Sequence, residues 1–257
     1  MEFTIDIYYQ LLKKLIASDY LFQSFSDYLE NPFLSKSVIL RHDIDKLPQN
    51  ALRIAAMENE LGIKATYYFR IVKHVFDEEV IREIAKLGHE IGYHYEDLSL
   101  TKGDLESAII SFERNINSLR NLYPIRTICM HGSPLSSWDN ISLWETYDYH
   151  KFGIIGEPYL DIDYSKVLYI TDTGRAWNKG DVSVRDKVKN HFNINIKNTN
   201  HLFQLIENNA LPLKIIINTH PQRWFDPGIN WAQELIMQSV KNVLKSFIVK
   251  GKRIIII

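Results

Sequence analysis

The side chains best suited to chemistry in this chain sit in short polar clusters, each following an apolar run. Asp43 and Asp45 end Val38-Ile39-Leu40-Arg41-His42-Asp43-Ile44-Asp45, and His94 follows Glu90-Ile91-Gly92-Tyr93. His131 follows Ile128-Cys129-Met130, and His220 follows Ile215-Ile216-Ile217-Asn218-Thr219. Side chains alternate along an extended backbone, so Asp43 and Asp45 are expected on one face. Two carboxylates that close repel unless a cation lies between them or one is protonated, which suits a metal ligand beside a general base. The competing reading makes Asp45 a cap for the helix beginning near Pro48 and pairs Asp43 with Arg41. Carboxylate and imidazole donors with one position left for water form an open hydrolytic metal centre, and zinc suits such N and O ligands. A further histidine is then available to protonate a leaving amine. His89, where a helix is expected to end, is read instead as a partner for the last helical carbonyls.

These residues need a scaffold that gathers strand ends. Apolar, β-branched runs are expected as strands over 37–42, 64–70, 90–94, 126–130, 167–171, 214–218 and 253–257. Helices are expected over 48–61, 77–87, 102–119, 201–207 and 231–249, with a loop-rich stretch over 133–191. The alternation predicts an α/β fold with a parallel sheet, and the chemical clusters fall at its C-terminal strand ends, the active face of a barrel. At 257 residues with 46% hydrophobic side chains, one domain spanning the whole chain is expected. Its opening helix, about 4–29, places Tyr8, Leu11, Leu12 and Leu15 at helical spacing, read as packing on the domain, with a membrane-surface anchor as the alternative.

Thirty basic against 31 acidic side chains, with no basic stripe, argue against nucleic acid as a partner. The single Cys129 lies in an apolar stretch and is expected as a buried structural thiol. No apolar run reaches the roughly 20 residues that span a bilayer, so no integral membrane segment is expected. The N-terminus shows no basic region followed by an apolar run and a cleavage site, and a cytoplasmic location is the expectation.

Three segments resemble, in order and spacing, the polysaccharide deacetylases of the NodB-homology group, carbohydrate esterase family four. They are Arg41 to Asp45, Gly62-Ile63-Lys64-Ala65-Thr66-Tyr67-Tyr68, and Gly88-His89-Glu90-Ile91-Gly92-Tyr93-His94. The family counterparts read Thr-Phe-Asp-Asp-Gly after a strand, Gly-Val-Lys-Ala-Thr-Phe-Phe, and Gly-His-Glu-Ile-Gly-Asn-His. The resemblance implies a distorted (β/α) barrel, a divalent metal, and removal of acetyl from an N-acetylated sugar. By position it puts the base on Asp43, the first metal-binding histidine on His94 and the general acid on His220. A gapless alignment puts the metal-binding aspartate on Ile44, so Asp45 substitutes for it, as alternation allows. The second metal-binding histidine falls on Leu98, which cannot bind metal; His131 is expected as the third ligand, with Glu96 or Asp97 as substitutes.

Thr171-Asp172-Thr173-Gly174-Arg175-Ala176-Trp177 is read as a tuning carboxylate, a cation for an oxyanion and an aromatic wall for a sugar ring. Its competing reading is a turn with an Asp172–Arg175 ion pair and a core tryptophan. Glu96 and Trp224 complete the expected substrate contacts, and Glu157 is a further loop candidate. The functional expectation is a metal-dependent deacetylase acting on a small-molecule or oligosaccharide substrate in surface polysaccharide (O-antigen or capsule) assembly; nothing in the chain sets an oligomeric state. Two alternatives stand beside it. One is a non-catalytic carbohydrate-binding relative, favoured by Leu98; the other is a glycosyltransferase holding a metal and a nucleotide diphosphate with Asp43-Ile44-Asp45, disfavoured by the strand-end histidines.

Overall fold

Among the described residues, seven short runs of apolar and β-branched residues form strands: β1 (Leu21–Gln23), β2 (Ser37–Ile44), β3 (Thr66–Phe69), β4 (Glu90–Tyr95), β5 (Ile128–Met130), β6 (Leu168–Thr171) and β7 (Lys214–Thr219). The computed structural model describes residues 1–132, 136–178, 188 and 191–254. Among the described residues every strand pairing is parallel, in the order β5-β4-β3-β2-β7-β6, with β1 beside the first half of β2. The sheet curls into a half-barrel, and helices cover its outer face. These are α1 (Ile5–Ala17), α2 (Phe25–Glu30), α3 (Pro48–Glu60), α4 (Glu78–Lys86), α5 (Asp97–Leu100), α6 (Leu105–Arg120), α7 (Pro158–Asp161), α8 (Thr199–Glu207) and α9 (Ile229–Ile254). The barrel-like α/β architecture expected from the alternation is thus present.

Local sequence explains the helix starts. Thr4, Ser24, Asp77, Asp104 and Asn198 each cap a helix by accepting a backbone N–H two or three residues into it. Helix α3 starts differently, with Pro48 in its first turn and Leu47 at φ 54° as its uncapped N-cap. Asp45 therefore makes no cap and keeps its carboxylate for other partners.

Period-two alternation divides the strands between two cores. Val38, Leu40 and Ile44 of β2 join Ile215 and Ile217 of β7 in the large core under the helices. Ile39, Tyr68, Cys129, Tyr169 and Ile216 face inward and fill the bottom of the half-barrel with Phe25. Cys129 is buried there, as expected. Gly92 of β4 is required by this packing, because a Cβ at that position would lie 2.3 Å from the Tyr68 ring. Above this layer the same inward face continues as Arg41 and Asp43 on β2 with Asp45 just after it, His94 on β4, and Asn218 on β7 with His220 just after it.

Three local expectations are corrected. The opening segment is not one helix over 4–29; α1 ends at Ala17, and β1 and α2 follow. Tyr8, Leu11, Leu12 and Leu15 are fully buried, so α1 packs on the domain. The strand expected over 253–257 is not formed at Arg253 and Ile254, which continue α9, while residues 255–257 lie outside the described residues. The loop-rich stretch contains short helical turns at Asn140–Glu145, Tyr149–Phe152 and α7; residues 133–135, 179–187 and 189–190 of it lie outside the described residues.

On the outer face a polar cluster ties α1, α3 and the sheet together. Glu58 of α3 is completely buried and accepts hydrogen bonds from Tyr8, from Tyr67 at 2.6 Å and from His42 at 2.8 Å. His42 and Tyr67 lie on the strand faces opposite those that carry the inward residues, so this cluster anchors β2 and β3 from behind. His89 does not serve the end of α4: it bonds to Ala55 O at 2.9 Å and accepts the Ala65 N–H at 3.2 Å, joining α3 to β3.

Candidate metal centre

Six strand ends deliver polar side chains to one place. Asp45 follows β2, Arg70 follows β3, His94 and Glu96 end β4, His131 follows β5, Asp172 follows β6 and His220 follows β7. At the centre, Asp45 Oδ1 lies 3.6 Å from His94 Nε2 and 3.5 Å from His131 Nε2, and Asp45 Oδ2 lies 4.0 Å from His220 Nε2. Ligand atoms of Asp45, His94 and His131 all lie within 4.8 Å of one another.

Each imidazole is held through its other nitrogen. His94 Nδ1 donates to Cys129 O at 2.9 Å, His131 Nδ1 to Glu96 Oε2 at 2.9 Å, and His220 Nδ1 to Asp172 Oδ1 at 2.6 Å. When neutral, the His94 and His131 rings bonded in this way turn a bare Nε2 lone pair to the centre, the tautomer a metal ligand requires. Asp45 Oδ1 is buried and has no hydrogen-bond partner among the described residues, while Oδ2 accepts from Gln222 Nε2 at 3.0 Å. An orphaned buried carboxylate oxygen facing two bare imidazole nitrogens fits a divalent cation.

Electrostatics follow from the same contacts. Burial pushes the Asp45 carboxyl up, but His94, His131 and His220 outweigh it and hold the group well below its ordinary value. Burial alone would lower His94; the carboxylates of Asp43 and Asp45 reverse this and raise it. Asp43 is buried and accepts from Arg41 Nε at 3.0 Å, Arg41 Nη2 at 2.9 Å and Asn218 Nδ2 at 2.9 Å. Burial opposes ionisation, yet the Arg41 guanidinium prevails and keeps Asp43 below the usual carboxylate range. Half of the competing reading is therefore realised: Asp43 does pair with Arg41, whereas Asp45 caps nothing.

The remaining candidates are placed as follows. Glu96 is buried and engaged on both sides, accepting from Arg70 Nε at 2.8 Å and Nη2 at 2.9 Å as well as from His131, so it orients His131 and is not turned to a substrate. Asp97 points away, bonded to Tyr93, Ser111 and Asn115. Leu98 is buried in the large core. Asp172 accepts from His220, from Arg223 Nη1 at 2.7 Å and from Trp224 Nε1 at 2.8 Å. Trp177 and Trp224 are not available as walls for a sugar ring; both are buried, packed on each other and on Phe3. Arg175 turns from the centre too, donating to Arg223 O at 3.1 Å, with its guanidinium over the Trp231 ring. Glu157 is the N-cap of α7, and burial raises it to about 7.

Gln222, Arg70 and Asn218 escaped the sequence reading. Arg70 ends β3 in phase with Thr66 and Tyr68, and Asn218 lies two residues before His220, so strand phase was the signal for both. Gln222 lies in a short turn at Pro221–Arg223, where no periodicity applies. A cavity of about 400 Å³ opens beside Lys46, the residue after Asp45, with Asn50, Phe225, Asn230 and Gln233 in its lining.

No protein-family model matches the chain, and no curated protein does. Solved structures of similar chain course include a mutant of a Bacillus anthracis pseudoenzyme of the CE4 family with restored enzymatic activity, at 14% identity and a TM-score of 0.43. The match covers 82% of this chain and 64% of that one, so this chain spans under two thirds of its length. A family 4 carbohydrate esterase from Bacillus anthracis is 11% identical over 90% of this chain and 84% of that one, with a TM-score of 0.40. The Xyl-CE4 domain of a multidomain xylanase from the hindgut metagenome of Trinervitermes trinervoides is 15% identical over 85% and 84%, with a TM-score of 0.41.

Proposed function

We propose that this chain is a metal-dependent hydrolase that removes an acetyl group from an N-acetylated sugar or saccharide precursor. The observation that carries the reading is the orphaned Asp45 Oδ1 facing the bare Nε2 atoms of His94 and His131. Asp45, His94 and His131 would hold the cation, with zinc favoured by the N and O donors. A divalent cation there supplies Lewis-acid polarisation of an acyl carbonyl and acidifies water.

The chain's own residues supply the rest. Asp43, kept ionised by Arg41, offers a carboxylate to a water proton; the same pairing makes it a weak base, so its strength must come from position more than from proton affinity. His220, oriented by Asp172, would act as the acid in its doubly protonated form, passing the Nε2 proton to the leaving amine and returning to the Nδ1–H form bonded to Asp172. Glu96 and Arg70 keep His131 in place. Assembly of O-antigen or capsule is the setting we assign to such a precursor.

A second reading, a binding-only relative, is favoured by one observation: Asp43 is fully engaged with Arg41 and Asn218. Acetate release from N-acetylated oligosaccharides separates the two. The hydrolase reading expects release by zinc-loaded protein, none after chelation, and a loss of about hundredfold or more in Asp43→Asn with the metal retained. Saccharide binding without acetate release by zinc-loaded protein would favour the binding-only reading.

A further inference from the structure

Helix α9 is packed inside out. At 3.6 residues per turn, Trp231, Glu234, Gln238 and Asn242 share one side of it. Glu234 and Gln238 are only 4% and 5% exposed. That side makes the contacts: Glu234 with Lys46 at 2.8 Å, Trp231 Nε1 with Glu2 O at 2.8 Å, and Asn242 Nδ2 with Gly174 O at 2.8 Å. The opposite side carries Ile236, Val240, Val243 and Leu244, which are 64%, 56%, 56% and 59% exposed. A helix on a globular protein ordinarily turns its apolar stripe to the core; here the polar stripe is buried and the apolar one faces out.

The location adds to this. Lys46 follows β2 and Gly174 follows β6, so residues 234–242 cross the ends of β2, β7 and β6, the strands that deliver Asp45, His220 and Asp172. Over residues 235–257 the sequence has five basic residues, Lys241, Lys245, Lys250, Lys252 and Arg253, and no acidic one. Pairing of this helix with a second copy of itself would bring like charges together, whereas an anionic surface attracts them. Among the described residues no helix is long and apolar enough to cross a membrane.

We propose that α9 seats the chain on an anionic membrane surface, with its apolar stripe in the headgroup region and its basic segment drawn to lipid phosphates. The helix lies on the bilayer and does not span it. This inference does not depend on the reaction at the metal centre.

Co-sedimentation of the full chain with vesicles tests it. The expected result is binding to mixed phosphatidylcholine/phosphatidylglycerol vesicles at least about tenfold stronger than to phosphatidylcholine alone, weakened by salt. Ile236→Asp combined with Val240→Asp is expected to abolish binding at an unchanged melting temperature, because both side chains are exposed. Lys241→Glu weakens binding without touching the stripe, and together with the salt dependence it decides the matter if the double variant melts early. Failure of the wild type to bind the mixed vesicles, or equal binding by the double variant, overturns the proposal. So does a wild-type dimer in light scattering that the double variant converts to monomer.

Discussion

At the centre of the site, each residue that faces the cation position is held by another behind it. His131 depends on Glu96, and Glu96 on Arg70. Removing Glu96 frees the His131 ring to turn, so Glu96→Ala is expected to weaken zinc affinity by about tenfold to hundredfold without removing a ligand. Competition against a chelating dye would read this, and unchanged affinity would assign Glu96 another role. In the proposed reaction Asp172 belongs to the proton side. Asp172→Asn is expected to leave zinc binding intact while lowering acetate release by about hundredfold, since His220 loses the carboxylate that fixes its tautomer. A variant that loses zinc instead would place Asp172 among the groups that build the metal site.

Elements were legible where sequence periodicity is strong. Strands β2 to β7 and helices α3, α4, α6 and α8 fall within a few residues of their expected limits, because alternation, caps and terminal glycines mark them locally. The opening segment departs from the single expected helix, since β1 owes its existence to pairing with Ser37, Val38 and Ile39, a contact the local pattern does not carry. Strand phase likewise gathered Asp43, Asp45, His94, His131 and His220 in advance. It did not reveal that Trp177 and Trp224 are core residues, because a loop tryptophan has no phase to read. Two substitutions test the elements themselves. Gly92→Ala forces a Cβ onto the Tyr68 ring and is expected to cost about 1–3 kcal/mol. Glu58→Ala strands His42, Tyr8 and Tyr67 behind β2, with an expected loss of about 3 kcal/mol or more in urea denaturation. A neutral result for either would mean that the packing described for that strand does not hold it.

For the whole molecule, the buried ionisable groups set how stability varies with pH in the absence of metal. Asp43, Asp45 and Asp172 are held below their ordinary values, so their contribution is present above the unfolded carboxylate range, near pH 4, and is lost as pH falls below it. Glu157 is raised to about 7, so the folded state binds its proton more tightly and stability declines as pH rises from about 4.3 through that value. His94 is raised too, and its contribution fades as pH rises above the ordinary histidine range. Chelated protein is therefore expected to be most stable near pH 4 to 5, and Glu157→Gln to flatten the alkaline side of the curve. Thermal melts across pH read this directly; a maximum above neutrality would contradict it. The hydrolase reading rests on one claim, that Asp45, His94 and His131 together bind a divalent cation. Zinc titration calorimetry on chelated wild type, Asp45→Asn and His131→Ala tests it most directly. The expected result is one tight site in the wild type and a loss of about tenfold or more in each variant; a wild type that takes up no zinc, or variants that bind as tightly as it does, would contradict the claim.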